Sequence, residues 1–181
     1  MNTKDKINYI SDWIKSYANS NGFKSLVVGI SGGIDSAVTS TLSAKTGLKT
    51  IVANMPILEH KVTNDRGLSH ITWLKENFDN IEDLKIDLSV VFENFKTALN
   101  SNNSEHGYAN SQARIRMTTL YQIAASNKGI VVGTGNKVED FGIGFYTKYG
   151  DGGVDISPIA DCLKTEIWDM GKELMINQDI I

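Results

Sequence analysis

Ser25-Leu26-Val27-Val28-Gly29-Ile30-Ser31-Gly32-Gly33-Ile34-Asp35-Ser36 is the stretch that decides the fold of this chain. A short apolar run rich in β-branched residues stops at Ser31-Gly32-Gly33. The segment from Asp35 through Ala37, Val38 and Leu42 can then wind into a helix, so the stretch reads as strand, loop, helix. Such a turn is an anion cradle. Two glycines let the backbone approach an oxyanion and aim N–H groups at it, and the helix start adds partial positive charge and unpaired donors. Phosphate is the expected occupant. The Walker loop is excluded because no Lys follows the last Gly, and the dinucleotide fingerprint because the third Gly is missing.

Outward from this loop, the chain alternates helical and strand-like segments. Before it, Ile7, Ile10, Trp13, Ile14 and Tyr17 recur at three- and four-residue spacing, predicting an amphipathic helix over about 3–20 that Gly22 closes. After it, the loop helix ends near Gly47, and residues 49–56 read as a second buried strand ended by Pro56. A helix over 64–77, a weak third strand around Leu84-Lys85-Ile86 and a helix carrying Val90, Val91, Phe92, Phe95 and Leu99 follow. Residues 100–107 read as a polar surface loop, 110–127 as a helix, and Ile130-Val131-Val132-Gly133 as a wholly apolar strand. Buried strands joined by helices imply an α/β fold: a doubly wound parallel sheet with helices on both faces, Rossmann-like, in one domain over 1–181. Ligands of such folds sit beyond the carboxyl ends of the strands, where the loops at Ser31 and Thr134 both fall.

The second loop, Thr134-Gly135-Asn136-Lys137-Val138-Glu139, sets a hydroxyl, an amine and a carboxylate near the first if their strands are neighbours. Glu139 could then complete a Mg2+ site with Asp35; read alone, the segment is equally a capped helix start with Glu139 in its first turn. Glycines at 150, 152 and 153 make residues 146–155 a loop, whose Lys148, Asp151 and Asp155 suit a polar ligand.

Composition narrows the class. A chain of 181 residues with 41% hydrophobic and 22% charged residues is ordinary for a soluble globular protein. Net charge −3 with pI near 5.6 argues against a general nucleic-acid or membrane surface. One cysteine, Cys162, excludes an internal disulfide and any multi-cysteine metal site. It reads as a small core residue, and His60, His70 and His106 form no motif. The start lacks an apolar signal segment and no apolar run is long enough for a membrane span, so a cytoplasmic location is expected.

Ser31-Gly32-Gly33-Ile34-Asp35-Ser36 resembles the SGGxDS pyrophosphate loop of the N-type ATP pyrophosphatases, enzymes that split ATP into AMP and pyrophosphate. Ala113-Arg114-Ile115-Arg116-Met117, Gly133-Thr134-Gly135-Asn136-Lys137, Phe145-Tyr146-Thr147-Lys148-Tyr149-Gly150-Asp151-Gly152-Gly153 and Asp155-Ile156-Ser157-Pro158 follow in order. Together they are similar to the NAD+ synthetase family, from Ser25 to about Leu174. The resemblance implies that Gly29, Ile30, Ser31, Gly32, Gly33, Ile34, Asp35 and Ser36 hold the ATP phosphates, with Thr134 and Lys164 also contacting ATP. It implies Mg2+ on Asp35 and Glu139, catalytic roles for Asp35 and Lys164, and Arg114, Lys148 and Asp155 on nicotinic acid adenine dinucleotide (deamido-NAD+). The implied reaction adenylates the nicotinate carboxylate and amidates it with ammonia, giving NAD+, AMP and pyrophosphate. A homodimer is implied too. Free ammonia is the expected nitrogen donor, since no glutaminase pattern accompanies the motifs.

Two departures stand out. Between Glu139 and Lys148 the chain is one residue longer than the family pattern, and it stops where a lid-forming C-terminal segment would begin, so a shortened domain is expected. The alternatives are another adenylating amidotransferase with the same loop and a non-catalytic nucleotide-binding module.

Overall fold

The computed structural model describes residues 1–58, 61–100 and 102–181 and, of residues 61–64, the backbone alone. His60 therefore lies outside the described residues. Strands β1 (Ser25–Ile30), β2 (Lys49–Asn54), β3 (Ile81–Lys85) and β4 (Gly129–Val131) form a parallel sheet in the order β3-β2-β1-β4. From β1 the chain steps outward to β2 and β3, then crosses back to lay β4 on the other side of β1. Ser25 pairs with both Lys49 and Gly129, so the loops after β1 and β4 leave the same edge of the sheet side by side. That reversal of strand order opens the crevice in which open α/β sheets take ligands.

Helices α1 (Thr3–Ser20), α2 (Ile34–Lys45), α3 (Lys61–Asn77) and α6 (Lys164–Glu173) cover one face, and α4 (Ser89–Leu99) and α5 (Glu105–Ser126) the other. Side chains alternate across a strand, and β1 is apolar on both sides for that reason. Its Leu26 and Val28 pack with Ile10, Ile14, Leu42 and Ile167, while Val27 packs with Ala53, Phe92 and Ala124. The doubly wound sheet expected from the sequence is the observed fold. An ion pair from Lys6 to Glu166 ties α1 to α6.

Some boundaries move. Helix α5 begins at Glu105, well before the expected 110, because Ser104 caps it: its Oγ accepts from Gly107 N at 3.3 Å and Glu105 occupies the first turn. The polar, turn-forming residues 100–107 read locally as a loop. Strand β3 starts at Ile81 and leaves all five of its residues partly or fully exposed, which accounts for its weak apolar signal. The largest change lies at residues 137–143, which wind into a π-helix.

Candidate active site

The loop after β1 bends through Gly32, whose φ of 81° suits a residue without Cβ, and Gly33 then caps α2 with no side-chain bond at that end. Asp35 stands in the first turn of α2. The hydroxyls brace the loop: Ser31 Oγ lies 3.0 Å from Ser36 Oγ and accepts from Gly33 N at 3.3 Å, while Ser36 Oγ donates to Gly33 O at 2.9 Å.

Opposite it, the π-helix Lys137–Ile143 is capped by Asn136, whose Oδ1 accepts from the N–H groups of Val138 and Glu139. A π-helix closes its hydrogen bonds over i→i+5 and so takes up one residue more per turn than an α-helix. Gly144 closes it in the left-handed conformation, its N–H on Glu139 O. The segment is a capped helix start with Glu139 in its first turn.

Lys164, the first residue of α6, joins the two. Its Nζ lies 2.5 Å from Asp35 Oδ2 and 2.9 Å from Glu139 Oε1. Burial opposes its charge, but the bonds to Asp35 and Glu139 outweigh this and raise the ammonium above its ordinary value. Nδ2 of the buried Asn136 donates to Asp35 Oδ1 at 3.0 Å. The neighbouring Asp140 turns toward Gly135 instead, and burial followed by the charges of Asp151, Glu139 and Asp35 pushes its carboxyl up to about 6.

A cleft of ≈ 720 Å³ opens at the carboxyl ends of β1, β2 and β4, and Gly29, Ile30, Ser31 and Thr134 line it. Sequence reading missed three of its walls. Asn54 ends β2, Met55 follows it, and Arg116 on α5 donates from Nε to Met55 O at 2.9 Å. Arg116 sits within the quoted Ala113–Met117 motif, yet only packing shows that it, and not Arg114, faces the cleft.

Arg114, Lys148 and Asp155 are exposed, and none of them lines this cleft. Lys148 Nζ rests 5.1 Å from the centre of the Tyr149 ring. Its loop docks on α5, where a Cβ at Gly150 would meet that of Ala113 at 2.8 Å, next to Arg114. Asp155 spends both oxygens locally, taking Val131 N at 2.8 Å and the Tyr121 hydroxyl at 3.1 Å. Cys162 is buried and its thiol is pushed up by that burial, in keeping with a core role. His106 is exposed, whereas His70 is wholly buried.

The model of the NAD synthase family matches residues 6–181 of this chain. The chain belongs to the NAD synthase family. An NH3-dependent NAD+ synthetase of Methanosarcina mazei is 37% identical over 187 residues, which span 100% of this chain and 71% of that protein. Among solved structures, an NMN synthetase from Francisella tularensis superposes with a TM-score of 0.91 at 32% identity, over 99% of this chain and 74% of its own. An NH3-dependent NAD synthetase from Campylobacter jejuni gives 0.90 at 29% identity, over 100% and 77%. In this NAD synthase family member, no helix among the described residues is long and apolar enough to cross a membrane.

Proposed function

We propose that this chain converts deamido-NAD+ to NAD+ with ATP and ammonia, releasing AMP and pyrophosphate. The observation that carries the reading is the convergence of Asp35 and Glu139 on Lys164 Nζ beside the Ser31–Ser36 loop, at the point where strand order reverses. A nicotinate carboxylate oxygen attacks the α-phosphorus of ATP, and the bond to the β-phosphate breaks. Ammonia then adds to the activated carbonyl carbon, AMP leaves and a proton is lost from nitrogen. Backbone N–H groups after Gly32 and the Lys164 ammonium would take up charge on the departing pyrophosphate, which is catalysis by positioning and electrostatics.

The residues present fit Mg2+. Two hard carboxylate oxygens from different elements meet at one cationic atom, and Mg2+ takes one or two carboxylates together with substrate phosphates. Asp35 and Glu139 would hold the ion, which when bound offsets charge on the phosphates. Lys164 would then turn its ammonium from the carboxylates to the ATP oxygens. Thr134 would contact ATP from the cleft wall, and Arg114, Lys148 and Asp155 would serve the dinucleotide. We also infer a homodimer in the cytoplasm; the exposed Val90 and Val91 of α4 support a covered apolar face.

Incubation with ATP, Mg2+, deamido-NAD+ and ammonium should give AMP and NAD+ in equal amounts. Pyrophosphate release without an acceptor acid, or no AMP at all, would reject the reading. A second reading keeps the chemistry and takes the carboxylic acid counterpart of NMN as acceptor, and the likeness to the Francisella tularensis NMN synthetase favours it. The ratio of kcat/KM for the two acids, measured at one ATP concentration, decides between them.

A further inference from the structure

Asn136 is wholly buried, and both ends of its amide are engaged. Its Oδ1 accepts from Val138 N and Glu139 N, each at 3.0 Å, and its Nδ2 donates to Asp35 Oδ1 at 3.0 Å, across 101 positions of sequence. Its backbone is held as well: Asp140 N donates to Asn136 O at 3.1 Å, and the next residue's N–H donates to Cys162 O at 3.0 Å. A helix cap needs only an acceptor, which Ser or Asp supplies as well as Asn does. The amide donor is what those residues lack, and here it is spent on Asp35.

We propose that Asn136 is a positioning residue that presets the spacing of Asp35 and Glu139, so that the pair keeps its geometry when the Lys164 ammonium leaves it. One planar side chain orients Glu139 through the first turn of the π-helix and Asp35 through a direct bond. Without the lysine between them, the two carboxylates repel, and Asn136 still ties Asp35 to the segment that carries Glu139. Burying an amide is favourable only when its polar atoms are paired, so Asn136 and its partners hold one arrangement. The inference rests on the reading that this pair takes a divalent cation.

The test uses the intact protein and two variants. Asn136→Ser keeps a capping oxygen but is too short to reach Asp35, whereas Asn136→Ala loses both functions. Free Mn2+ is followed by electron paramagnetic resonance as it is titrated into each ligand-free protein, and KM and kcat are measured with Mg2+. The dissociation constant for Mn2+ should rise about 10- to 100-fold in both variants, the effect of removing a partner of a metal-binding side chain. kcat should fall while KM for the acceptor acid stays within about twofold, and the serine variant should melt close to the parent. Should the alanine variant fail to fold, the serine variant decides alone. Mn2+ affinity in Asn136→Ser equal to that of the parent overturns the inference and leaves the carboxylate reading standing. A parent protein that binds no Mn2+ overturns both.

Discussion

Lowering the pH from 7.5 to 5 should cost this protein about 2 kcal/mol of folding stability through one side chain, His70. His70 lies on α3, wholly buried, with its Nε2 2.9 Å from Ser40 Oγ on α2 and its ring stacked on Trp73 at 5.6 Å. Ser40 Oγ also stands 3.0 Å from Ala37 O, which can only accept. The single hydroxyl proton therefore points to Ala37, and Nε2–H donates to Ser40. Nδ1 is then the bare nitrogen, and among the described residues it has no hydrogen-bond partner. Protonation would place a charge and an unmatched N–H in the core. Burial, opposed only in part by the Ala37 carbonyl, lowers the imidazole from 6.5 to about 4.

The sign follows from where the protons go. The folded state keeps His70 neutral down to about pH 4, while the unfolded chain takes up a proton below 6.5, so this contribution is fully present above 6.5 and is lost as pH falls toward 4. At pH 5 the unfolded histidine is almost fully charged and the folded one almost wholly neutral. One and a half pH units at about 1.4 kcal/mol each give the loss of about 2 kcal/mol, a large share of the roughly 5–15 kcal/mol that holds a domain folded. Urea denaturation at pH 7.5, 6.5, 5.5 and 5.0 measures it, with an expected midpoint shift of about 1 M for a slope near 2 kcal/mol/M. Carboxylates titrate in the same range, so His70→Gln is run in parallel, and their common effect cancels in the difference. The variant should be less stable at pH 7.5 yet lose about 2 kcal/mol less on acidification. Parallel pH profiles for parent and variant would refute this account of His70.

Three further outcomes are expected. Lys164→Met should lower kcat by about 10²-fold, the scale of losing one donor to a developing oxyanion, with the fold unchanged by circular dichroism. Gly135→Ala should turn the Asp140 carboxylate aside, because its Cβ would overlap it, and cost at most about 1 kcal/mol by thermal melting; a larger loss would show that Asp140 cannot move. Tyr121→Phe should cost only about 1 kcal/mol, read by thermal melting, since Asp155 Oδ2 still holds Val131 N when the phenol is gone.

Much of this protein is written locally. The apolar run of β1, the glycines that stop it and the helix that follows are set by neighbours in the chain, so the strand–loop–helix turn and the α/β class were legible without coordinates. Glu139 was legible as a carboxylate in the first turn of a capped helix start, and Lys148 and Asp155 as charges in a glycine-rich loop. Nothing local says that residues 137–143 wind into a π-helix.

Adjacency across the sheet was not legible, because it depends on which buried faces pack rather than on any short pattern. Only the pairing of β4 with β1 brings the Thr134 loop beside Ser31, and only the packing of α6 against α2 delivers Lys164 to Asp35 from 129 positions away. The same holds for Asn136, which no sequence pattern singled out and which in the fold links the two carboxylate-bearing segments. Sequence by itself determined which groups can bind an anion or a cation, since that chemistry resides in side chains and local turns. The tertiary structure decided which of those groups meet, because charges held a few ångströms apart by packing act on one ligand, and the same charges on separate elements do not.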